Sequence, residues 1–124
     1  MPTSNKARAI DFLKLAASGK VDDVYTLYVS PQFKHHNSHF KGDAQFLKQG
    51  MKDSFAQFSN KLLEVKRALE DGEHVAIHLR VRLTPDGRDI ALIHLFRFEE
   101  NRIAELWVAA EMAPATPVNE NGLF

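Results

Sequence analysis

The sequence predicts an α+β fold, with helices first and a strongly curved antiparallel sheet after them. Three observations carry that expectation. Up to Phe58 the apolar residues recur at helical spacing, whereas beyond Lys61 the pattern is mostly that of strands. Asp71-Gly72 and Pro85-Asp86-Gly87 separate the later runs as turns would. Finally, Ile90 to Phe98 and Ile103 to Ala110 are nearly unbroken apolar runs, which need cover on both faces. Strands this long twist and curl, and a curled sheet closed by helices encloses a cavity.

Each element has its own signature. Thr3 or Ser4 can cap a first helix, which places Ile10, Leu13 and Ala17 on one face and ends at Gly19. A shorter helix follows from Val21 to Tyr28. Pro31 forces a break, and Gln32 to Gly42 reads as an irregular loop. Asp43 caps a third helix, in which Phe46, Leu47, Met51, Phe55 and Phe58 keep helical spacing. Leu63, Val65, Arg67 and Leu69 then alternate with Glu64, Lys66, Ala68 and Glu70. Val75, Ile77, Leu79, Val81 and Leu83 do the same with His74, Ala76, His78, Arg80 and Arg82.

Size and composition bound the function. A chain of 124 residues suits one domain spanning 1–124, with no internal repeat or linker. Lys plus Arg (16) balances Asp plus Glu (16), which argues against nucleic-acid binding and against a polybasic membrane anchor. Cysteine is absent, so disulfides, thiolate catalysis and iron–sulfur clusters are excluded. Asp11 and Lys14 interrupt the N-terminal apolar segment, which removes a signal-peptide core and leaves a cytoplasmic protein as the default expectation. No glycine-rich phosphate loop, Rossmann fingerprint or nucleophilic serine motif is present, so no cofactor is expected.

Strand parity assigns the two faces of the sheet. If Val75, Ile77, Leu79 and Val81 face the helices, His78, Arg80 and Arg82 face away. Ile90, Leu92, His94, Phe96 and Phe98 then point inward, with Leu106, Val108 and Ala110. Arg97, Ile93 and Leu95 share the outer face with Glu105, Trp107 and Glu111. An apolar centre ringed by charges of both signs suits a homodimer interface, with Arg80, Arg97, Glu105 and Trp107 in it. The alternative is a solvated face with weak cross-strand ion pairs.

Several segments together resemble the SnoaL-like polyketide cyclase family. They are His36-Asn37, Asp71-Gly72 before Val75-Ala76-Ile77-His78, Phe96-Arg97-Phe98 ahead of Ile103-Ala104-Glu105-Leu106-Trp107, and the tail Asn119 to Phe124. The resemblance spans nearly the whole chain. It implies the cone-shaped half-barrel shared with nuclear transport factor 2 and ketosteroid isomerase, a dimer and an internal ligand cavity. It also implies acid–base chemistry such as intramolecular aldol condensation. The chain departs from that family where Leu106-Trp107-Val108 stands in place of a common His-Trp-Asp, so that carboxylate is missing. Many relatives carry an aspartate at the position of His94.

The candidate catalytic residues are therefore His94 and His36. An imidazole in an apolar strand can take a proton beside a carbonyl, as cyclisation or isomerisation requires. The competing reading of His94 is a core histidine bonded to a backbone carbonyl or a tyrosine. Asn37 could donate to a ligand oxygen from the loop, or simply form an Asx turn. Phe33, Phe40, Phe96, Leu106 and Val108 are candidates to line the apolar cavity. His35, His36, His39, His78 and His94 lack metal-ligand spacing, and no metal is assigned. The two functional expectations are a cofactor-free cyclase or isomerase acting on a small apolar carbonyl compound, and a non-catalytic ligand-binding or dimerisation module.

Overall fold

The structure, a computed structural model, describes residues 2–124. Helix α1 (Asn5–Ala17) opens on Ser4, whose Oγ accepts from the Ala7 N–H at 3.0 Å. Gly19, at φ +92°, closes it with a left-handed turn, and the Lys20 N–H returns to the Leu15 carbonyl at 3.0 Å. Helix α2 (Val21–Tyr28) carries Asp22 and Asp23 in its first turn, where the helix dipole favours negative charge. Helix α3 (Ala44–Gln57) is capped by Asp43, whose Oδ1 accepts from the Phe46 N–H at 3.1 Å. No helix among the described residues is long and apolar enough to cross a membrane.

Among the described residues, five strands form one open sheet: β1 (Val29–His35), β2 (Leu62–Asp71), β3 (His74–Arg82), β4 (Ile90–Glu99) and β5 (Arg102–Met112), in the order β1-β5-β4-β3-β2. Strands β2 to β5 are the expected antiparallel meander. The sheet is nevertheless mixed, because β1 adds to the outer edge of β5 in parallel. The first part of the segment read as a loop, Gln32 to His35, belongs to this edge strand, and 36–42 is loop. Proline lacks an N–H and is tolerated where one side of a strand needs no ladder. The β1 register slips between Val29 and Lys34, so the chain around Pro31 bows out while both ends stay paired.

The parity of β3 to β5 is as expected. Ile77, His94 and Val108 lie side by side across three strands, as do Val75, Phe96 and Leu106. On β2 the plain alternation fails at one point. A bulge between Val65 and Arg67 turns Arg67 outward beside His78 and Ala68 inward beside Ile77. The core lies between the helices and this inner face. Phe12 of α1 meets Phe96 edge-on at 6.0 Å and Tyr25 of α2 at 5.9 Å, and Val75, Ile77 and Leu79 are fully buried.

Tight turns set the β2–β3 and β4–β5 hairpins. Asp71 pairs with His74, leaving Gly72 at φ +60° and Glu73 as the loop. Glu99 pairs with Arg102, leaving Glu100 (φ +49°) and Asn101 (φ +66°) both left-handed, the pattern of a type I′ turn.

Candidate functional site

On the inner face β5 outruns its cover. Leu106 is 1% exposed, Val108 is half-buried, and Met112 at the end of the strand is 54% exposed. His94 sits where cover gives way, between Ile77 and Val108, with the Phe96 ring edge-on at 6.0 Å. Its Nδ1 is buried and has no hydrogen-bond partner. Burial pushes its pKa down to about 4, because an apolar wall disfavours the imidazolium. The backbone or tyrosine partner that a satisfied core histidine would hold is absent at that atom. A buried polar atom left unpaired costs about 1–3 kcal/mol.

Strand β1 separates the neighbouring histidines. His35 pairs with Leu106 and points inward, 5% exposed, so His36 projects from the outer face. There its Nε2 meets Glu105 Oε2 at 2.6 Å, and its ring lies flat on Trp107, with centroids 5.2 Å apart and planes 3° from parallel. Glu105, 8% exposed, also accepts from Arg97 Nε at 3.1 Å and lies 3.8 Å from Lys34 Nζ. The His36 hydrogen bond, followed by that from Arg97, holds the Glu105 carboxyl below the ordinary carboxylate range despite its burial. His36 and His94 therefore occupy opposite faces of the sheet.

The remaining candidates scatter. The Asn37 N–H donates to His35 Nδ1 at 3.1 Å, while its side-chain oxygen accepts from the His39 N–H at 3.1 Å, forming an Asx turn. Phe40, 40% exposed, covers Gly50 of α3, where a Cβ would come within 2.5 Å of the ring. Phe33 packs edge-on to Tyr25 at 6.4 Å, and Phe96 and Leu106 are sealed in the core. Only Val108 shares the half-covered zone with His94. Sequence reasoning missed His35. Its signal was the alternation of Phe33 and His35, hidden by reading Pro31 as the end of order.

Several clefts lie elsewhere. One of about 540 Å³ opens under the C-terminal tail between Asp89, Glu111 and Phe124. Another of about 480 Å³ lies between α2, β1 and α3 beside Lys48 and Arg102. Neither is lined by His94. Among the described residues, no three His, Asp or Glu side chains converge as metal ligands.

Three helices against one face of an open, curled five-stranded sheet define the cone-like α+β class. Within it the chain belongs to the SnoaL-like domain family, whose model matches residues 9–106. Solved structures share the fold. AclR from Streptomyces galilaeus superposes with a TM-score of 0.75 at 18% identity, over 89% of this chain and 80% of that one. An uncharacterised cystatin-fold protein from Novosphingobium aromaticivorans gives 0.72 at 18%, over 87% and 99%. A SnoaL-like polyketide cyclase from Agrobacterium tumefaciens gives 0.72 at 14%, over 89% and 93%. No curated protein matches the chain.

Proposed function

We propose that this chain binds a small, largely apolar carbonyl compound against the inner face of its sheet, with His94 as the polar contact. The observation that carries the reading is the buried, unpartnered Nδ1 of His94 in an otherwise apolar row. A neutral imidazole can donate to a carbonyl oxygen or accept from a hydroxyl without charging the site. If the bound compound reacts, His94 holds or moves a proton at the carbon next to the carbonyl, as in cyclisation or isomerisation. The polyketide cyclase with the same fold is consistent with this substrate class.

The separation of His36 from His94 favours a second reading, a non-catalytic binding module, because the two candidate catalytic histidines then cannot act on one ligand. In either reading the outer face pairs with a second copy. Its charges are internally neutralised, Glu105 by Arg97 and Asp89 by Arg80 and Arg82, around an exposed Ile93. Titration of wild-type protein with a panel of aromatic and alicyclic ketones, followed by NMR, tests the reading. Saturable shifts at Ile77, His94 and Val108, lost in His94→Leu, are expected. A panel that leaves these resonances unmoved overturns it.

A further inference from the structure

We propose that His35 is a proton-sensitive latch, whose neutral ring holds the loop 36–42 closed at the edge of the inner face. The ring fills the inside of that loop and ties both of its arms. Its Nδ1 accepts from the Asn37 N–H at 3.1 Å, and its Nε2–H donates to the Lys41 carbonyl at 2.5 Å. Backbone contacts fasten the two ends of the loop at the same place. The His35 N–H donates to the Gly42 carbonyl at 3.2 Å, and Lys34 bridges to Asp43. These two bonds fix the tautomer, because the nitrogen facing an N–H must be the bare one. Both ring nitrogens are thus spent on the loop, which leaves His35 no direct role toward a ligand.

The loop stands at the border of the proposed site. Strand β1 ends with His35 beside Leu106, whereas β5 runs on to Met112. The loop therefore leaves the sheet alongside Val108, the register partner of His94. It then crosses to α3, where Phe40 rests on Gly50. That the latch governs access to a ligand rests on the function proposed above; the latch itself does not.

Protonation must break this arrangement. An imidazolium has two N–H donors, so Nδ1–H would face the Asn37 N–H donor to donor in a 5% exposed position. Nothing around the ring compensates for the charge. On β1, Phe33 stacks on it at 6.2 Å, while Lys34 and His36 project to the other side, toward Glu105. On β5 it faces Leu106. In the loop, the Lys41 ammonium sits over the Phe46 ring at 5.1 Å. On α3, Asp43 is engaged with the Phe46 N–H, and Lys48 lies over Tyr25 of α2 and pairs with Asp22. Among the described residues, His36 is the histidine that pairs with a carboxylate; His35 has none within ion-pair distance.

Hydrogen exchange of backbone amides in the ligand-free chain tests the latch, with rates corrected for intrinsic pH dependence. Between pH 7.5 and pH 5 the Asn37 amide should lose protection by about tenfold, the scale of one lost hydrogen bond. The amides of Ile77 and Phe96 should not change. In His35→Gln, exchange of the loop should be the same at both pH values. Constant protection of Asn37 in wild type overturns the proposal. So does a pH dependence that survives in His35→Gln, since it would belong to another group. If that variant does not fold, the ¹⁵N shifts of the wild-type ring decide: a bare Nδ1 at pH 7.5 supports the latch and a protonated Nδ1 overturns it. Because no ligand is involved, failure here leaves the ketone titration to be judged separately.

Discussion

His36 lies flat on Trp107, its ring plane 3° from parallel, while its Nε2 is held by Glu105. Trp107 is the only tryptophan, so its emission reports on this stack. The imidazole covers one face of the indole and fixes its surroundings. His36→Ala should shift the emission maximum and change its intensity at pH 7, with circular dichroism unchanged. Emission identical to wild type would show that His36 does not rest on the indole in solution.

His94 ties stability to pH. Its folded pKa of about 4 lies below the ordinary histidine value near 6.5, so the unfolded chain binds the proton first. Stability is therefore fully present above about pH 6.5 and declines as pH falls toward 4, by up to about 3 kcal/mol. Urea unfolding at pH 7, 5.5 and 4.5 should show this slope in wild type and a shallower one in His94→Leu. At pH 7 that variant should be about 1 kcal/mol more stable, since an unpaired polar atom is removed. A less stable variant with the wild-type slope would remove His94 from this role.

The turn at Glu100 and Asn101 stores strain at a residue suited to neither its φ nor a ligand. Glu100 adopts φ +49°, which costs a side chain with a Cβ about 1 kcal/mol relative to glycine or asparagine. Glu100→Asn should raise the thermal midpoint by a few degrees, about 0.5–1 kcal/mol. Calorimetry measures it directly, and a lower midpoint would show that the glutamate has a compensating partner.

The dimerisation proposed for the outer face has a simple probe. Ile93 is 48% exposed beside Trp107's neighbour Leu95. Ile93→Asp should convert a dimer to a monomer in sedimentation velocity with unchanged circular dichroism. A wild-type chain that sediments as a monomer refutes the interface outright.

The residues made some of this legible and hid the rest for identifiable reasons. The alternation of Val75, Ile77, Leu79 and Val81 with charged neighbours determined both faces of the sheet, including the inward His94 and the outward Trp107. Alternation predicts a face only while it is unbroken, and the bulge beside Lys66 reversed it for Arg67 and Ala68. Pro31 concealed β1, because its meaning depends on whether a strand lies at an edge, which is a tertiary fact. Missing β1 placed His36 rather than His35 beside the inner face. The contacts of His36 with Glu105, and of Arg8 with Asn101, join distant parts of the chain and leave no local trace.

The parallel seam between β1 and β5 also has a consequence for how the chain is made. Val29 to His35 leave the ribosome long before Ile103 to Leu106, and until then they have no strand to join. The helices and the β2–β3–β4 meander can assemble from near neighbours, whereas this seam must wait for the last strand. Both the His35 latch and the His36–Glu105 pair are therefore late events of biogenesis. A nascent chain stalled before Arg102 would carry an inner face with neither.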